Sequence, residues 1–201
     1  MEWFTAALAA FVVIVPVELP DKTFVATLVL ATRYPAWPVW TGVVAAFGIQ
    51  CAVAAAAGRV LALLPERPVA IAAALLFATG AVILFRSARK ADEEEAETER
   101  AYEGRITDSR TGLRAFGASF LVLFAAEWGD LSQLLTAGLV ATGRPAVPVF
   151  FGSWAALALV SGAAVVLGRV LLRKVRLSVV RYVGAAVCTI LSVITLIAAF
   201  V

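Results

Sequence analysis

The sequence predicts an all-α integral membrane protein, six transmembrane helices arranged as two inverted three-helix repeats. Three observations predict it. Of the 201 residues, 62% are hydrophobic and 15% charged, and the mean hydropathy is +0.94; soluble domains sit nearer about half apolar and about a quarter charged. The apolar residues run in six long blocks rather than amphipathic stripes, the pattern of membrane spans. A short acidic motif occurs twice, once in each half, in the middle of an apolar block.

The blocks cover residues 3–32, 37–64, 68–88, 113–142, 146–172 and 176–200. Each reaches the ~20 residues that cross a hydrocarbon core. The first begins at Met-Glu-Trp-Phe, with neither a basic leader region nor a small-residue cleavage pattern, so it is expected to remain as a helix. Breaks fall at Arg33-Tyr34-Pro35, at Leu64-Pro65-Glu66-Arg67-Pro68, along 89–111, at Gly143-Arg144-Pro145 and at Arg173-Lys174-Val175-Arg176. Proline and charge at each of these favour helix ends. Blocks one and four, at 1.5 Å per residue, would reach roughly 45 Å, too long for an untilted straight helix. Both must tilt, kink or break, and a candidate break lies near the middle of each. Trp3, Trp37 and Trp40 fit interfacial anchors. The chain thus divides into a first repeat at 1–88, an acidic loop at 89–111 and a second repeat at 112–201.

Topology follows from the basic residues. The face that holds the N-terminus collects Arg59, Arg67 and Arg144. The opposite face collects Arg33, Arg86, Arg89, Lys90, Arg100, Arg105, Arg110, Arg114, Arg169, Arg173, Lys174, Arg176 and Arg181. The positive-inside rule puts this second face in the cytoplasm, with both termini outside and the acidic stretch 92–99 in cytoplasmic water, where charge runs usually stay.

Composition also excludes. A net charge of +3 with no basic face speaks against nucleic acid. The absence of histidine removes His-ligated metal sites and histidine proton relays. Ser132 and Thr23 have no histidine base, and nothing suggests a haem or flavin site, so no enzyme activity and no cofactor are expected. Cys51 and Cys188 lie singly in apolar runs and read as small packing residues.

The halves resemble each other in order. Glu18-Leu19-Pro20-Asp21-Lys22-Thr23 stands 109 residues before Glu127-Trp128-Gly129-Asp130-Leu131-Ser132, and Thr27 matches Thr136 at the same offset. With one residue added, Pro38-Val39-Trp40-Thr41-Gly42 matches Pro148-Val149-Phe150-Phe151-Gly152, and Gly58-Arg59-Val60-Leu61 matches Gly168-Arg169-Val170-Leu171. A repeat of three spans, an odd number, enters the membrane from the opposite side the second time. Inverted repeats of this kind place substrate sites at the repeat interface near the midplane.

Of the fourteen acidic residues, only Glu18, Asp21, Glu127 and Asp130 lie inside apolar blocks away from the ends. A carboxylate at mid-bilayer costs at least a few kcal/mol, so four of them point to function. In a regular helix each Glu/Asp pair, at i and i+3, shares a face. Between the members stands a helix breaker, Pro20 or Gly129. Broken helices at membrane depth line cavities, and two of them related by a pseudo-twofold axis would bring the four carboxylates together. Thr23, Ser132 and Gln133 add neutral oxygens; Lys22, an ammonium with no acceptor, balances charge. Hard oxygen ligands suit Mn²⁺, Ca²⁺ or Mg²⁺. Crowded carboxylates hold protons when the site is empty and release them to a divalent ion, so proton-for-metal exchange follows from the site's composition.

The paired E-x-x-D-containing motifs in two three-helix halves, separated by an acidic loop, resemble those of the GDT family, also called the transmembrane protein 165 family, of Mn²⁺/Ca²⁺:H⁺ exchangers in the lysine-exporter superfamily. Glu18, Asp21, Lys22 and Thr23 match its first motif; Glu127, Asp130, Ser132 and Gln133 match its second. The resemblance implies export of Mn²⁺, and of Ca²⁺ as a second substrate, against protons, and for a bacterium a place in the plasma (inner) membrane. There are departures: Pro20 replaces the first glycine, Phe24 stands where a glutamine is usual, and Leu131 replaces the second basic residue. No carboxylate is lost. The main alternative is a lysine-exporter-like carrier of amino acids or other small organic cations, which needs a larger polar cavity and no paired acidic motifs. The partners expected are divalent cations, protons and the lipid bilayer; a homodimer is compatible with the sequence.

Overall fold

The computed structural model describes residues 2–19, 22–88, 112–174 and 177–200. Pro20, Asp21 and the predicted acidic loop at 89–111 lie outside them. The described residues are helical, with no strand: α1 (Glu2–Glu18), α2 (Lys22–Arg33), α3 (Ala36–Leu61), α4 (Glu66–Ser87), α5 (Leu113–Ala126), α6 (Leu131–Ala141), α7 (Ala146–Lys174) and α8 (Leu177–Ala198).

Four helical stretches are long and apolar enough to cross a membrane alone, Ala36–Leu61, Arg67–Ser87, Ala146–Val166 and Arg181–Ala198. The first apolar block is two helices, with a turn of 70° between Glu2–Glu18 and Thr23–Thr32; taken as one bent span, this pair makes a fifth. The fourth block is also two helices, Leu113–Ala126 and Leu131–Ala141. At 14 residues, α5 reaches about 21 Å, short of a hydrocarbon core of about 30 Å. Among the described residues there are thus four candidate spans, or five with the bent pair taken as one, and the fourth block is two shorter apolar helices. Both breaks fall on the acidic motif.

The proline-rich boundaries act as helix starts. Pro35 precedes α3 with extended backbone, φ −58° and ψ 135°, and its carbonyl accepts from Val39 N–H at 3.3 Å. Pro145 plays the same part for α7, accepting from Val149 N–H at 3.3 Å. A proline in or just before the first turn loses nothing, because those N–H groups have no intrahelical partner.

Packing pairs the halves across each other. α1 packs on α7 and α3 on α5; α3 also meets α6, α2 meets α7, α3 runs against α7, and α4 lies along α8. Two glycines bring backbones into contact. A Cβ on Gly42 would stand 2.5 Å from the Phe116 carbonyl oxygen of α5, and a Cβ on Gly152 would collide with the Ala7 carbonyl of α1. These contacts occupy matching places in the two halves, since Gly42 corresponds to Gly152 and Ala7 to Phe116. Between α3 and α7 the indoles reach across: Trp40 Nε1 donates to the Ala158 carbonyl and Trp154 Nε1 to the Val44 carbonyl, each at 2.9 Å. Along α4 and α8, Arg181 donates to the Ser87 carbonyl and Ser192 to the Ala74 carbonyl, both at 2.8 Å. Such small-residue contacts and interhelical hydrogen bonds are what hold helices together where lipid is as apolar as leucine.

Gly152→Ala is accordingly expected to destabilise the protein by about 1–3 kcal/mol, as overpacking does, because the atom it meets is backbone and cannot rotate away. Gly117→Ala, where an added Cβ meets nothing within 4 Å, serves as the control. Thermal unfolding of both in the same detergent measures the difference.

Candidate functional site

The second motif is fully described. α5 stops at Ala126; Glu127, with φ −105° and ψ 18°, is its C-cap, and its N–H still donates to Leu123 at 3.0 Å. Gly129 then takes φ +80°, a left-handed conformation that costs a side-chain-bearing residue about 1–2 kcal/mol and glycine almost nothing. The chain re-enters a helix at Asp130, the N-cap of α6, with φ −68° and ψ 174°. Its Oδ1 accepts from Gln133 N–H at 3.2 Å and its Oδ2 from the Ser132 hydroxyl at 2.6 Å.

The break expected between Glu127 and Asp130 thus falls at Gly129, and the two do not share one face of a regular helix. They sit on either side of a turn, Glu127 at the carbonyl end of one half-helix and Asp130 at the amide end of the next. Gln133 braces the turn: its Nε2 donates to the Glu127 carbonyl at 2.6 Å and its Oε1 accepts from Gly129 N–H at 3.3 Å. Ser132 is buried, and one turn on the Thr136 hydroxyl donates to the Ser132 carbonyl at 2.8 Å and lies 3.0 Å from Ser153 Oγ on α7.

The first motif is described in part. Glu18 ends α1 and is fully buried. Thr23, in the first turn of α2, and Thr27, one turn further, are buried, and their hydroxyls make no hydrogen bond among the described residues. Thr27 corresponds to Thr136, but Val43 stands where Ser153 serves Thr136, so the second half's hydroxyl pair has no counterpart. Phe24, in the place of Gln133, is buried beside Val160 and Ala164, with Val15 and Leu19 packed against the cluster. One break is braced by an amide and the other is packed by apolar side chains. Asp21 is outside the described residues, and Lys22 is the first residue of α2.

The halves meet at α3. Cys51, on this helix, is 2% exposed. The residue before it, Gln50, is 1% exposed and donates from Nε2 to the Phe124 carbonyl at 3.2 Å. Neither was singled out from sequence as part of the site. An isolated glutamine in an apolar span was the available signal, since such residues make interhelical hydrogen bonds; Cys51 offered none. Among the described residues, no three His, Cys, Asp or Glu side chains are grouped to hold a metal ion. The described arrangement keeps Glu127 within the turn that Asp130 closes.

Chemically, the C-terminal ends of α1 and α5 turn carbonyls, the negative ends of their dipoles, towards the breaks, while the N-terminus of α6 offers amide donors that Asp130 takes up. Buried carboxylates, carbonyl ends and hydroxyls form an oxygen-rich environment suited to a hard cation.

The family model described as "Divalent cation/proton antiporter GDT1" matches residues 6–92 and 115–201, one stretch in each half. GDT1-like protein sll0615 of Synechocystis is 32% identical over 148 residues, covering 70% of this chain and 72% of its own length. GDT1-like protein 4 of Oryza sativa subsp. indica is 31% identical over 195 residues, 90% of this chain and 69% of the rice protein. Protein PAM71, chloroplastic, of Arabidopsis thaliana is 31% identical over 206 residues, 93% of this chain and 55% of its own length. No solved structure matches.

Proposed function

Since the chain belongs to the GDT1 family of divalent cation/proton antiporters, a family of multi-pass membrane transporters and not of enzymes, we propose that it exports Mn²⁺, with Ca²⁺ as a second substrate, from the cytoplasm in exchange for protons. The observation that carries this reading is the pair of acidic motifs at two helix breaks, with Glu18 fully buried at the end of α1 and Asp130 capping α6. In this reading Glu18, Asp21, Glu127 and Asp130 hold the ion and exchange it for protons, Thr23, Ser132 and Gln133 complete the oxygen shell, and Lys22 balances charge. The two motifs belong to inverted repeats, 1–88 and 112–201, joined by a cytoplasmic acidic loop, with both termini outside. Matched glycine contacts at Gly42 and Gly152 and the cross-half pairing of helices support that arrangement, and the distribution of Arg and Lys supports the orientation. For a bacterial chain the membrane is the plasma membrane.

Proton coupling follows from charge. Carboxylates gathered in a low-dielectric site bind protons when no metal is present, and a divalent ion displaces them. Flux of Mn²⁺ into sealed proteoliposomes, with and without an imposed pH gradient, tests the proposal, with Ca²⁺ and lysine as competitors. Acceleration by the gradient and competition by Ca²⁺ are expected. Lysine flux without metal flux would instead favour an organic-cation carrier, and metal flux that ignores the gradient would favour a channel.

A further inference from the structure

We propose that Gln50, a residue of α3 outside both motifs, positions the Glu127–Asp130 turn by holding the Phe124 carbonyl that the helix break sets free. In an uninterrupted helix that carbonyl would accept from the N–H of residue 128. Here the last such bond of α5 is Glu127 N–H to Leu123, and no bond from Trp128 N–H to Phe124 is formed. An unsatisfied carbonyl at membrane depth costs several kcal/mol. Gln50 supplies the missing donor from a different helix, 74 residues away in sequence and 1% exposed.

Its surroundings make this a fixed point. Eight residues earlier on α3, Gly42 sits against the Phe116 backbone of α5, so α3 touches α5 at two levels. On another side of α5, Phe116, Phe120, Phe124 and Trp128 form a ladder of rings with centroids 6.4, 5.4 and 4.9 Å apart. The turn beyond is closed by Gln133 on the Glu127 carbonyl and Gly129 amide. Gln50 and Gln133 therefore hold the carbonyls of residues 124 and 127, at the end of α5 and in the turn that follows. The corresponding place in the other half is Val160, packed with Phe24 and Val15, which cannot donate. Among the described residues, the polar brace is found at the second motif.

The inference rests on the proposed function for what the turn carries, but its structural part is independent of the ion. Two measurements on the full-length protein separate them. Gln50→Met keeps length and removes the donor; Gln50→Asn keeps the amide and shortens its reach. Both are expected to raise the half-saturating Mn²⁺ concentration by about 10–100-fold, the usual effect of losing a partner that orients a ligand, with the maximal rate within about twofold of wild type. Both are also expected to speed amide hydrogen exchange at residues 127–133 and leave residues 6–17 unchanged. A role in bulk stability alone would instead lower the maximal rate and melting temperature without moving half-saturation. Half-saturation at the wild-type value, or unchanged exchange at 127–133, would overturn the proposal. Absence of Mn²⁺ flux in the wild type would count against the proposed function, and the exchange rates would still decide for or against Gln50.

Discussion

Asp130→Asn is expected to yield a folded, membrane-inserted protein that no longer exchanges a divalent cation for protons. The substitution separates two roles of the side chain. As N-cap of α6, Asp130 accepts from Gln133 N–H through Oδ1 and from Ser132 through Oδ2. Asparagine caps helices about as well as aspartate; its carbonyl can replace Oδ1, and the Ser132 hydroxyl can turn to accept from the new amide group. The charge goes, and the shape stays. Transport should fall by more than about 100-fold, since even partners that only orient a ligand are worth about 10–100-fold in metal affinity. Asp130→Ala removes the cap as well and should cost a further ~1 kcal/mol in stability. Proteoliposome flux alongside thermal unfolding measures both. A fully active Asp130→Asn would remove this residue from the site and leave it a helix cap.

That dual role shows where the sequence was legible and where it was not. The six apolar blocks are readable because a bilayer demands about 20 apolar residues per span whatever the packing. The position of the breaks is readable too, from Pro20 and Gly129 in the middle of blocks too long to cross straight. The handling of the second break is less obvious. Asp130-Leu131-Ser132-Gln133 has the spacing of a capping box, a signature of a helix start, but it lies inside a continuous apolar run, where a start is not sought. Read as helix throughout, the pair Glu127 and Asp130 falls on one face; with the chain turned at Gly129, it does not. In the first half Phe24 breaks the same pattern, so comparison of the two copies hides the box rather than revealing it. The partner of Gln50 was illegible for another reason. What it touches, the Phe124 carbonyl, depends on how α3 packs against α5, and a single span's sequence holds no trace of that register.

Glu18→Gln and Asp130→Asn are expected to be strongly non-additive in Mn²⁺ binding, because the proposed site has carboxylates of both halves hold one ion. Glu18 is wholly buried at the end of α1, and Asp130 caps α6 in the other half. If the two carboxylates share one ion, the first neutralisation already dismantles the site, and the second has little left to remove. A double-mutant cycle on purified protein, with Mn²⁺ affinity read by calorimetry, should therefore show a coupling at the upper part of the 0.5–3 kcal/mol seen for residues that touch a common partner. Sites independent of each other, one ion per half, would give additive losses within about 0.5 kcal/mol. That outcome would retain the antiporter family and overturn the shared site. The distinction matters for mechanism: a single ion held between broken helices from both halves ties its release to their relative movement, whereas two separate ions would let each half exchange its own protons alone.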